Sequence, residues 1–281
     1  ILINFKNKNN KFLTDDSQII SIDKKHCNLL QKKSSLFISK KIKDNSTIVF
    51  FAGIKKQLGD SLKIYNDNMK LFINFVSGIE NKSNLHIIFI SSAAVYGEDI
   101  NHKNKINENT KVNIRSFYAC AKINSEFILK KICYDKGFKS CILRLPLVYG
   151  YYDKTLGYGP TKFFFNFIKK ENITLWGDGS EYREFIYVKD IPPIITHLIN
   201  TRYEGLINIA SSFKYNYLDI LKHLNKLDVS DFYIQSKKRS KLKVDHFFDN
   251  SKFKSLLPRF RFTKLNLALK DMFSIYKQRK W

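Results

Sequence analysis

The sequence predicts an α/β protein with a doubly wound parallel sheet and a smaller C-terminal region interleaved with it. Three observations support this prediction. In the first half, apolar runs of strand length alternate with longer helical patterns. After Gly150, turn signals and aromatic residues crowd together. No internal repeat and no Pro/Gly/Ser-rich linker separates the two halves.

Four apolar runs in the first half have the length of strands that are buried on both faces. They are Gln18–Asp23, Thr47–Phe51, His86–Ser91 and Ser140–Leu145. Right-handed crossovers between such parallel strands lead to a doubly wound sheet. Two shorter runs, Glu184–Val188 and Leu206–Ile209, are expected to return to the main sheet from the later region.

Two long helices are predicted between these strands. Asp60–Ile79 carries apolar residues at steps of three and four, and Ser116–Lys136 shows the same period. The second pattern becomes basic toward its end, and Gly137 follows it as a stop signal.

The composition points to a globular chain in a reducing compartment. Of the 281 residues, 44% are hydrophobic, which is enough for a sizeable core and excludes wholesale disorder. The apolar run Ile48–Ile54 is too short to span a bilayer, and no signal peptide is evident. We therefore expect a cytoplasmic protein. The cysteines are scattered without a CxxC pair, which argues against a disulfide scaffold or a zinc cage: Cys27, Cys120, Cys133 and Cys141.

The net charge of +24 suggests an anionic partner. However, only eight of the 49 basic residues are Arg, the residue that reads bases through bidentate contacts, and the lysines are spread along the whole chain. We therefore expect no specific nucleic-acid partner. Binding of an anionic small molecule is favoured by the same electrostatic field.

The stretch Ile88–Lys122 carries the most chemical information. Tyr118 and Lys122 lie four residues apart on a predicted helix, so both side chains share one face. Ser92 lies at the carboxyl end of a predicted strand, where open α/β sheets bind ligands. Free Tyr has a pKa of about 10, and a nearby ammonium in a dry site favours its phenolate. Tyr and Lys at this spacing are common by chance. The hypothesis that they are catalytic therefore depends on their combination with the upstream Ser92 segment.

Several motifs, in the right order, resemble those of the extended short-chain dehydrogenase/reductase family, in its NAD-dependent epimerase/dehydratase group acting on nucleotide sugars. They are Phe51–Gly53, Asn68, Ser91–Gly97, Tyr118 with Lys122, Arg144–Gly150, Trp176–Arg183 followed by Phe185, Val188 and Asp190, and Asp249–Lys252. The resemblance covers nearly all of the chain. It implies a Rossmann-type sheet, with a dinucleotide-binding domain in residues 1–149 and a substrate-binding region in residues 150–281.

The resemblance implies that Ser92, Tyr118 and Lys122 are the catalytic residues of a nucleotide-sugar 4-epimerase or 4-keto reductase. Tyr118 would act as acid and base, Lys122 would lower its pKa and bind the nicotinamide ribose, and Ser92 would orient the reacting oxygen. Family 4,6-dehydratases carry Asp-Glu directly after the catalytic Ser or Thr. This chain has Ala93-Ala94 there, which disfavours a dehydratase because alanine cannot transfer a proton.

NAD is the cofactor that the resemblance implies. Asp23 would bind the adenosine ribose, whereas Lys24 and Lys25 could instead hold the 2′-phosphate of NADP. The other residues expected to bind the cofactor are Asn28, Leu29, Ala52, Gly53, Asn68, Tyr118 and Lys122.

The substrate that the resemblance implies is a nucleotide-diphosphate sugar. Arg183 and Arg239 would face the diphosphate, because guanidinium groups suit phosphate oxygens. Trp176 either stacks on the base or fills the core, and Arg144 is either functional or structural. The resemblance also implies a homodimer through the two long helices, although core packing would explain their apolar faces equally well.

One family motif is missing, because none of the eleven glycines forms a GxxGxxG or GxGxxG loop. The simplest interpretation is an N-terminally incomplete chain in which Ile1–Asn10 is the tail of the first helix. The alternative is a natural short form, a cofactor-poor binding or regulatory protein on the same fold, since the pyrophosphate would lack its usual helix N-terminus.

Overall fold

The computed structural model describes residues 19–153, 155–157, 159–227, 233–239 and 242–278. The chain divides into two compact units whose segments alternate along the sequence. The described residues of the first unit lie in 19–95, 113–144 and 191–207. Those of the second unit lie in 96–112, 145–190 and 208–278.

The described strands, in chain order, are β1 Thr47–Phe50, β2 His86–Ser92, β3 Lys139–Leu145, β4 Leu147–Tyr149, β5 Ile173–Trp176, β6 Tyr182–Arg183, β7 Phe185–Tyr187, β8 Gly205–Asn208, β9 Tyr215–Asn216 and β10 Ile234–Lys237. The described helices are α1 Ser34–Lys41, α2 Leu62–Ile79, α3 Phe117–Lys136, α4 Gly159–Ile168, α5 Ile191–Thr201, α6 Tyr217–Leu224, α7 Ser251–Leu256 and α8 Leu265–Gln278. Within the part of the chain that is described, no helix has both the length and the apolar character needed to cross a membrane.

A parallel sheet of four strands, in the order β1–β2–β3–β8, forms the framework of the first unit. β1 pairs in parallel with β2, from Thr47 opposite His86 to Phe50 opposite Phe89. The apolar runs that predicted β1, β2 and β3 are therefore strands, and the prediction of an α/β fold with a parallel sheet is confirmed. Phe50 also packs on Phe75 of α2, with 4.4 Å between ring centroids, so helix and sheet share one core.

Both predicted long helices form, and local capping residues fix their ends. The Ser61 hydroxyl accepts a hydrogen bond from the Ile64 N–H at 3.4 Å and starts α2. The Ser116 hydroxyl does the same for the Ala119 N–H at 3.1 Å and starts α3. α3 ends at Gly137, whose backbone is left-handed with φ of 65°.

The predicted strand Gln18–Asp23 is wrong over its described part. Residues 19–23 are irregular, and a turn follows in which the His26 N–H donates to the Asp23 carbonyl at 3.1 Å. Ile19 and Ile20 are about half exposed, so this apolar run is not buried between neighbouring strands. Gln18 and the stretch Ile1–Asn10, which was expected to be helical, lie outside the described residues.

The two later strands belong to different sheets, contrary to the expectation that both return to the main sheet. β8 lies beside β3 in the four-stranded sheet, but β7 pairs in parallel with β4 in the second unit. The sequence also gave no sign that residues 96–112 belong to the second unit. Strand length and apolar content do not specify a pairing partner, because the partner comes from distant parts of the chain.

The second unit has its own apolar core, which combines aliphatic residues with aromatic side chains from the region after Gly150. α4 buries Phe163, Phe164 and Phe167 on one face. α6 starts at a capping box formed by Asn216 and Asp219. Two small pairs of strands complete the region: β5 runs parallel to β10, and β6 runs antiparallel to β9.

We expect Gly78→Ala to destabilise the first unit, because α1 packs directly on Gly78 of α2. A Cβ atom there would lie 2.6 Å from Ile38 Cβ and 2.8 Å from the Ser35 carbonyl oxygen. Overpacking of this kind lowers the free energy of unfolding by about 1–3 kcal/mol. On an open helix surface the same change would raise it by about 0.5–1 kcal/mol. Urea denaturation, with the exposed neighbour Ser77→Ala as control, distinguishes the two signs.

Candidate active site

The carboxyl end of β2 and the first turn of α3 hold two of the predicted catalytic residues. Ser92 is the last residue of β2, and its hydroxyl accepts a hydrogen bond from the Ala94 N–H at 3.2 Å. Tyr118 lies in the first turn of α3, where its N–H donates to the Asp60 carboxylate at 3.1 Å. Both side chains therefore start from backbone that local hydrogen bonds fix in place.

Lys122 lies one turn after Tyr118, and its ammonium group is buried in the first unit. Nζ lies 5.8 Å from the centroid of the Tyr118 ring and 5.0 Å from that of the Phe89 ring. It donates a hydrogen bond to the Ile90 carbonyl of β2 at 2.8 Å. Burial lowers the pKa of Lys122 to about 8, while the nearby Glu126 carboxylate opposes that shift. The structure therefore brings Tyr118 and Lys122 together, as the spacing predicted.

Three residues expected to bind the cofactor meet at the end of β1. A Cβ atom on Gly53 would lie 3.3 Å from Lys122 Nζ and 3.5 Å from Asn68 Oδ1. The Asn68 side chain accepts a hydrogen bond from the Ile54 N–H at 2.8 Å and donates to its carbonyl at 3.1 Å. The preceding Ala52 is partly buried against the core. Asn68 thus holds the backbone after β1 beside the ammonium, where a residue without a side chain fits.

The other predicted cofactor residues lie on the segment before α1. The Asp23 carboxylate lies 2.7 Å from His26 Nδ1 and also accepts the His26 N–H, and these contacts lower its pKa. Asn28 accepts the N–H of Leu30 within its own turn. The Leu29 carbonyl accepts a hydrogen bond from Asn74 of α2 at 2.7 Å. The segment is fastened to α2, but the Asp23 carboxylate is engaged by its own turn.

Glu126 is a site residue that sequence reasoning missed. It is buried one turn after Lys122, and Arg144 Nε and Nη2 contact its two oxygens at 3.0 and 2.7 Å. The Ser91 hydroxyl donates to the same carboxylate at 2.5 Å. The signal was available, since Tyr118, Lys122 and Glu126 follow one another at four-residue steps. Arg144, whose role the sequence left open, forms a buried ion pair here.

In the second unit, the two arginines expected to face a diphosphate converge on one carboxylate. Arg239 Nη1 lies 2.8 Å from Glu181 Oε1, and Arg183 Nη2 lies 3.3 Å from the same oxygen. Arg239 also pairs with Asp178 at 3.1 Å. The structure therefore brings Arg183 and Arg239 together, although 56 residues separate them in the sequence (239 − 183). Glu181 was not singled out by sequence reasoning.

Trp176 lies at the end of β5 in the second unit, opposite Lys237 of β10. Its indole is 60% exposed, so Trp176 does not fill the core. The next residue, Gly177, has φ of 75°, and the Arg239 side chain lies across it where a Cβ atom would project. The exposed Trp176 therefore directly precedes the glycine that the Arg239 side chain covers.

The profile of the NAD dependent epimerase/dehydratase family matches residues 3–210. The chain therefore belongs to this family of nucleotide-sugar enzymes, as the motifs indicated. The match includes Ser92, Tyr118, Lys122 and Arg183.

Individual relatives are distant but cover most of the chain. GDP-L-colitose synthase from Yersinia pseudotuberculosis is 25% identical over 245 residues, covering 81% of this chain and 77% of the relative. UDP-glucose 4-epimerase of Thermus thermophilus, solved in complex with NAD, has a TM-score of 0.77 at 17% identity, covering 90% and 84% of the two chains. UDP-N-acetylglucosamine 4-epimerase from Methanobrevibacter ruminantium M1 has a TM-score of 0.75 at 23% identity, covering 86% and 80%. These structures confirm the Rossmann-type fold.

Lys122→Met should reveal the cost of the buried ammonium as a pH dependence. Because the pKa of Lys122 falls from 10.5 to about 8 on folding, the unfolded chain binds more protons between these values. The free energy of unfolding of the wild type should therefore rise relative to Lys122→Met by about 3 kcal/mol between pH 7.5 and 10.5. Urea titrations across this range measure the difference.

Lys131→Met is the matched control, because Lys131 lies on the same helix with an exposed side chain paired to Asp135. Its stability difference from the wild type should stay nearly constant over the same pH range. A flat difference for Lys122→Met as well would contradict burial of Lys122 as a cation.

Proposed function

We propose that the chain is an NAD-dependent enzyme that acts on a nucleotide-diphosphate sugar, as a 4-epimerase or a 4-keto reductase. One observation carries the proposal: the buried Lys122 ammonium lies against the Tyr118 ring and is tied to the strand that ends at Ser92. A buried lysine beside a tyrosine at a sheet's carboxyl edge suits proton transfer at a sugar hydroxyl.

In this proposal Tyr118 moves the proton. The positive charge of Lys122 stabilises the phenolate of Tyr118, which then takes the proton from the sugar hydroxyl. In the reverse direction, the Tyr118 hydroxyl returns that proton to the oxygen. The Ser92 hydroxyl orients the same oxygen, since its own backbone is fixed at the end of β2.

The residues around Lys122 fit a bound dinucleotide. Gly53 leaves open the space beside the ammonium that a side chain would fill, and Lys122 has donor capacity beyond its bond to Ile90. Lys122, Gly53, Ala52 and Asn68 would line the nicotinamide end. Asn28, Leu29 and Asp23 would hold the adenosine end, with NADP as the alternative because Lys24 and Lys25 follow directly. When bound, the nicotinamide accepts or returns the hydride of the sugar carbon.

The second unit supplies the groups that would bind the nucleotide diphosphate. Arg183 and Arg239 offer two guanidinium groups to phosphate oxygens, and the exposed face of Trp176 can stack on a base. Relatives named for a GDP-sugar and for UDP-sugars support a nucleotide-diphosphate sugar as the substrate class.

The segment after Ser92 supports an epimerase or reductase over a 4,6-dehydratase. Ala93 and Ala94 begin a short helical turn directly after Ser92, and neither side chain carries a titratable group. Elimination of water needs a further acid and base beside the sugar, whereas epimerisation and reduction at C4 need proton transfer by Tyr118 and a hydride that a bound nicotinamide would accept or supply.

The rival proposal is a cofactor-poor binding or regulatory protein on the same fold. The sequence favours it at one point, since no Gly-rich phosphate loop is present among its eleven glycines. The presence of all three residues, Ser92, Tyr118 and Lys122, argues against the rival proposal. Binding alone does not require a buried ammonium beside a tyrosine.

We further propose a homodimer formed through α2 and α3. These helices pack against each other in the first unit and still present apolar side chains to solvent. Phe127 and Tyr134, two helical turns apart on α3, are 72% and 86% exposed, so packing within one chain does not account for them. The exposed apolar residues on the two helices are Leu62, Ile73, Phe117, Phe127 and Tyr134.

We place the enzyme in a reducing compartment, the cytoplasm. Cys27, Cys120, Cys133 and Cys141 are all free thiols, and three of them are buried. Reduced thiols are the ordinary state of cysteine in cytosolic proteins. This placement is part of the proposal and follows from the thiols alone.

Tyr118→Phe tests the proposed chemistry. We expect the variant still to bind NAD in calorimetry, because only the hydroxyl is lost and the ring near Lys122 is kept. Turnover of GDP- and UDP-sugars should fall by at least about a hundredfold, since the proton relay is lost. Unaltered turnover would contradict the role of Tyr118. No binding of NAD or NADP by the wild type would mean either an incomplete chain or the rival binding protein, and repeating the titration with the upstream coding segment added would separate the two.

Phe127→Lys combined with Tyr134→Lys tests the dimer. We expect the wild type to sediment as a dimer and the double variant as a monomer, because two charges would face apolar surface on the second copy. Leu36→Lys on α1 is the control, since Leu36 is also exposed in the first unit. A wild type that stays monomeric at micromolar concentration, or a double variant that stays dimeric, would contradict this interface.

A further inference from the structure

The arginine pair of the second unit already holds an anionic oxygen. Glu181 Oε1 lies 2.8 Å from Arg239 Nη1 and 3.3 Å from Arg183 Nη2. The same oxygen accepts the Val244 N–H at 3.0 Å. Two guanidinium groups and a backbone N–H that converge on one oxygen form the donor set that proteins use for phosphate oxygens.

This contact is shielded from solvent more than an ordinary surface ion pair. The side chains of Arg183, Glu181 and Arg239 are 14%, 16% and 18% exposed. Asp178, which also pairs with Arg239, is 71% exposed and lies at the rim. Salt and water therefore weaken the Glu181 contacts less than the Asp178 contact. The charge of Glu181 thus has the larger effect on the electrostatic potential at the two arginines.

The formal charges of the four side chains in the cluster cancel. Arg183 and Arg239 contribute two positive charges, and Glu181 and Asp178 contribute two negative ones. A diphosphate that approaches the arginines meets a site already neutralised by its own carboxylates, although the chain as a whole carries +24.

We propose that Glu181 is an affinity-setting residue, whose carboxylate stands where a phosphate oxygen of the nucleotide diphosphate would bind and competes with it for Arg183 and Arg239. The inference rests on the proposed function, in which these arginines bind the diphosphate. When the diphosphate binds, the Glu181 carboxylate either leaves the arginines or stays in place and repels the phosphate. Both cases weaken affinity for the substrate and for the nucleotide product.

The arginines do not depend on Glu181 alone for their positions. Arg183 Nη1 donates hydrogen bonds to the carbonyls of Tyr182 and Val244. The Arg239 side chain lies across Gly177 and is also held by Asp178. Neutralising Glu181 should therefore leave the two guanidinium groups in place, with their charges free for a ligand.

The test is titration of UDP, and separately of inorganic pyrophosphate, into the full chain carrying Glu181→Gln. The glutamine keeps the size of the side chain and an acceptor oxygen but removes the negative charge. We expect both ligands to bind at least about tenfold more tightly than to the wild type, because a charge beside the ligand is removed. The affinity of the variant should also fall more steeply as salt is raised.

Asp178→Asn is the matched control, since it removes one carboxylate from the same arginine at the exposed rim. It should tighten binding by much less than Glu181→Gln. Glu181→Ser provides a second neutral variant should glutamine disturb folding, which thermal unfolding monitors. Its affinity should change in the same direction.

The outcomes separate this inference from the proposed function. Unchanged or weaker binding by both neutral variants would overturn it and would make Glu181 a positioning residue for the arginines. Arg183→Ala and Arg239→Ala should each weaken UDP binding. If both leave UDP binding unaltered, the diphosphate assignment fails, whatever Glu181 does.

Discussion

The buried ammonium of Lys122 is the constraint on which the site of the first unit depends. A cation taken out of water is costly unless polar groups surround it. The Ile90 carbonyl of β2, the faces of the Phe89 and Tyr118 rings and the negative charge of Glu126 surround this one. These contacts tie α3 to β2, because Lys122 of α3 donates to the Ile90 carbonyl two residues before the strand end at Ser92.

A second set of buried contacts, centred on Glu126, holds the surroundings of Lys122 in place. Glu126 opposes the loss of charge on Lys122, and it is itself held by Arg144 and Ser91. A buried carboxylate with these partners is costly to move, because its movement would leave the Arg144 cation in the core without this carboxylate. The second unit applies the same chemistry nearer the surface, where Glu181 neutralises Arg183 and Arg239. The Glu126–Arg144 pair is buried, whereas the Glu181 carboxylate and its two guanidinium partners keep some exposure to solvent.

Much of this architecture was accessible from the sequence because it depends on local rules. Ser61 and Ser116 mark the starts of α2 and α3, and Gly137 marks the end of α3, since caps act within a few residues. The buried runs of β1, β2 and β3 were equally plain. The run at Ile19 and Ile20 was misread as a strand, because apolar content predicts burial without identifying a neighbour. The pairing of β7 with β4 was missed for the same reason.

The sequence by itself determined the two long helices α2 and α3, the strands β1, β2 and β3, and the pairing of Tyr118 with Lys122, because four-residue spacing on a helix puts two side chains on one face whatever surrounds them. Only the tertiary structure decided that Glu126 meets Arg144 and that Arg183 and Arg239 share Glu181. Arg144 and Arg239 lie far from their carboxylate partners in the chain, so these two contacts depend on where the elements pack, whereas Arg183 lies only two residues after Glu181. Charge interactions weaken with distance and with exposure to solvent, so the partners and the strength of each ion pair depend on how the chain folds.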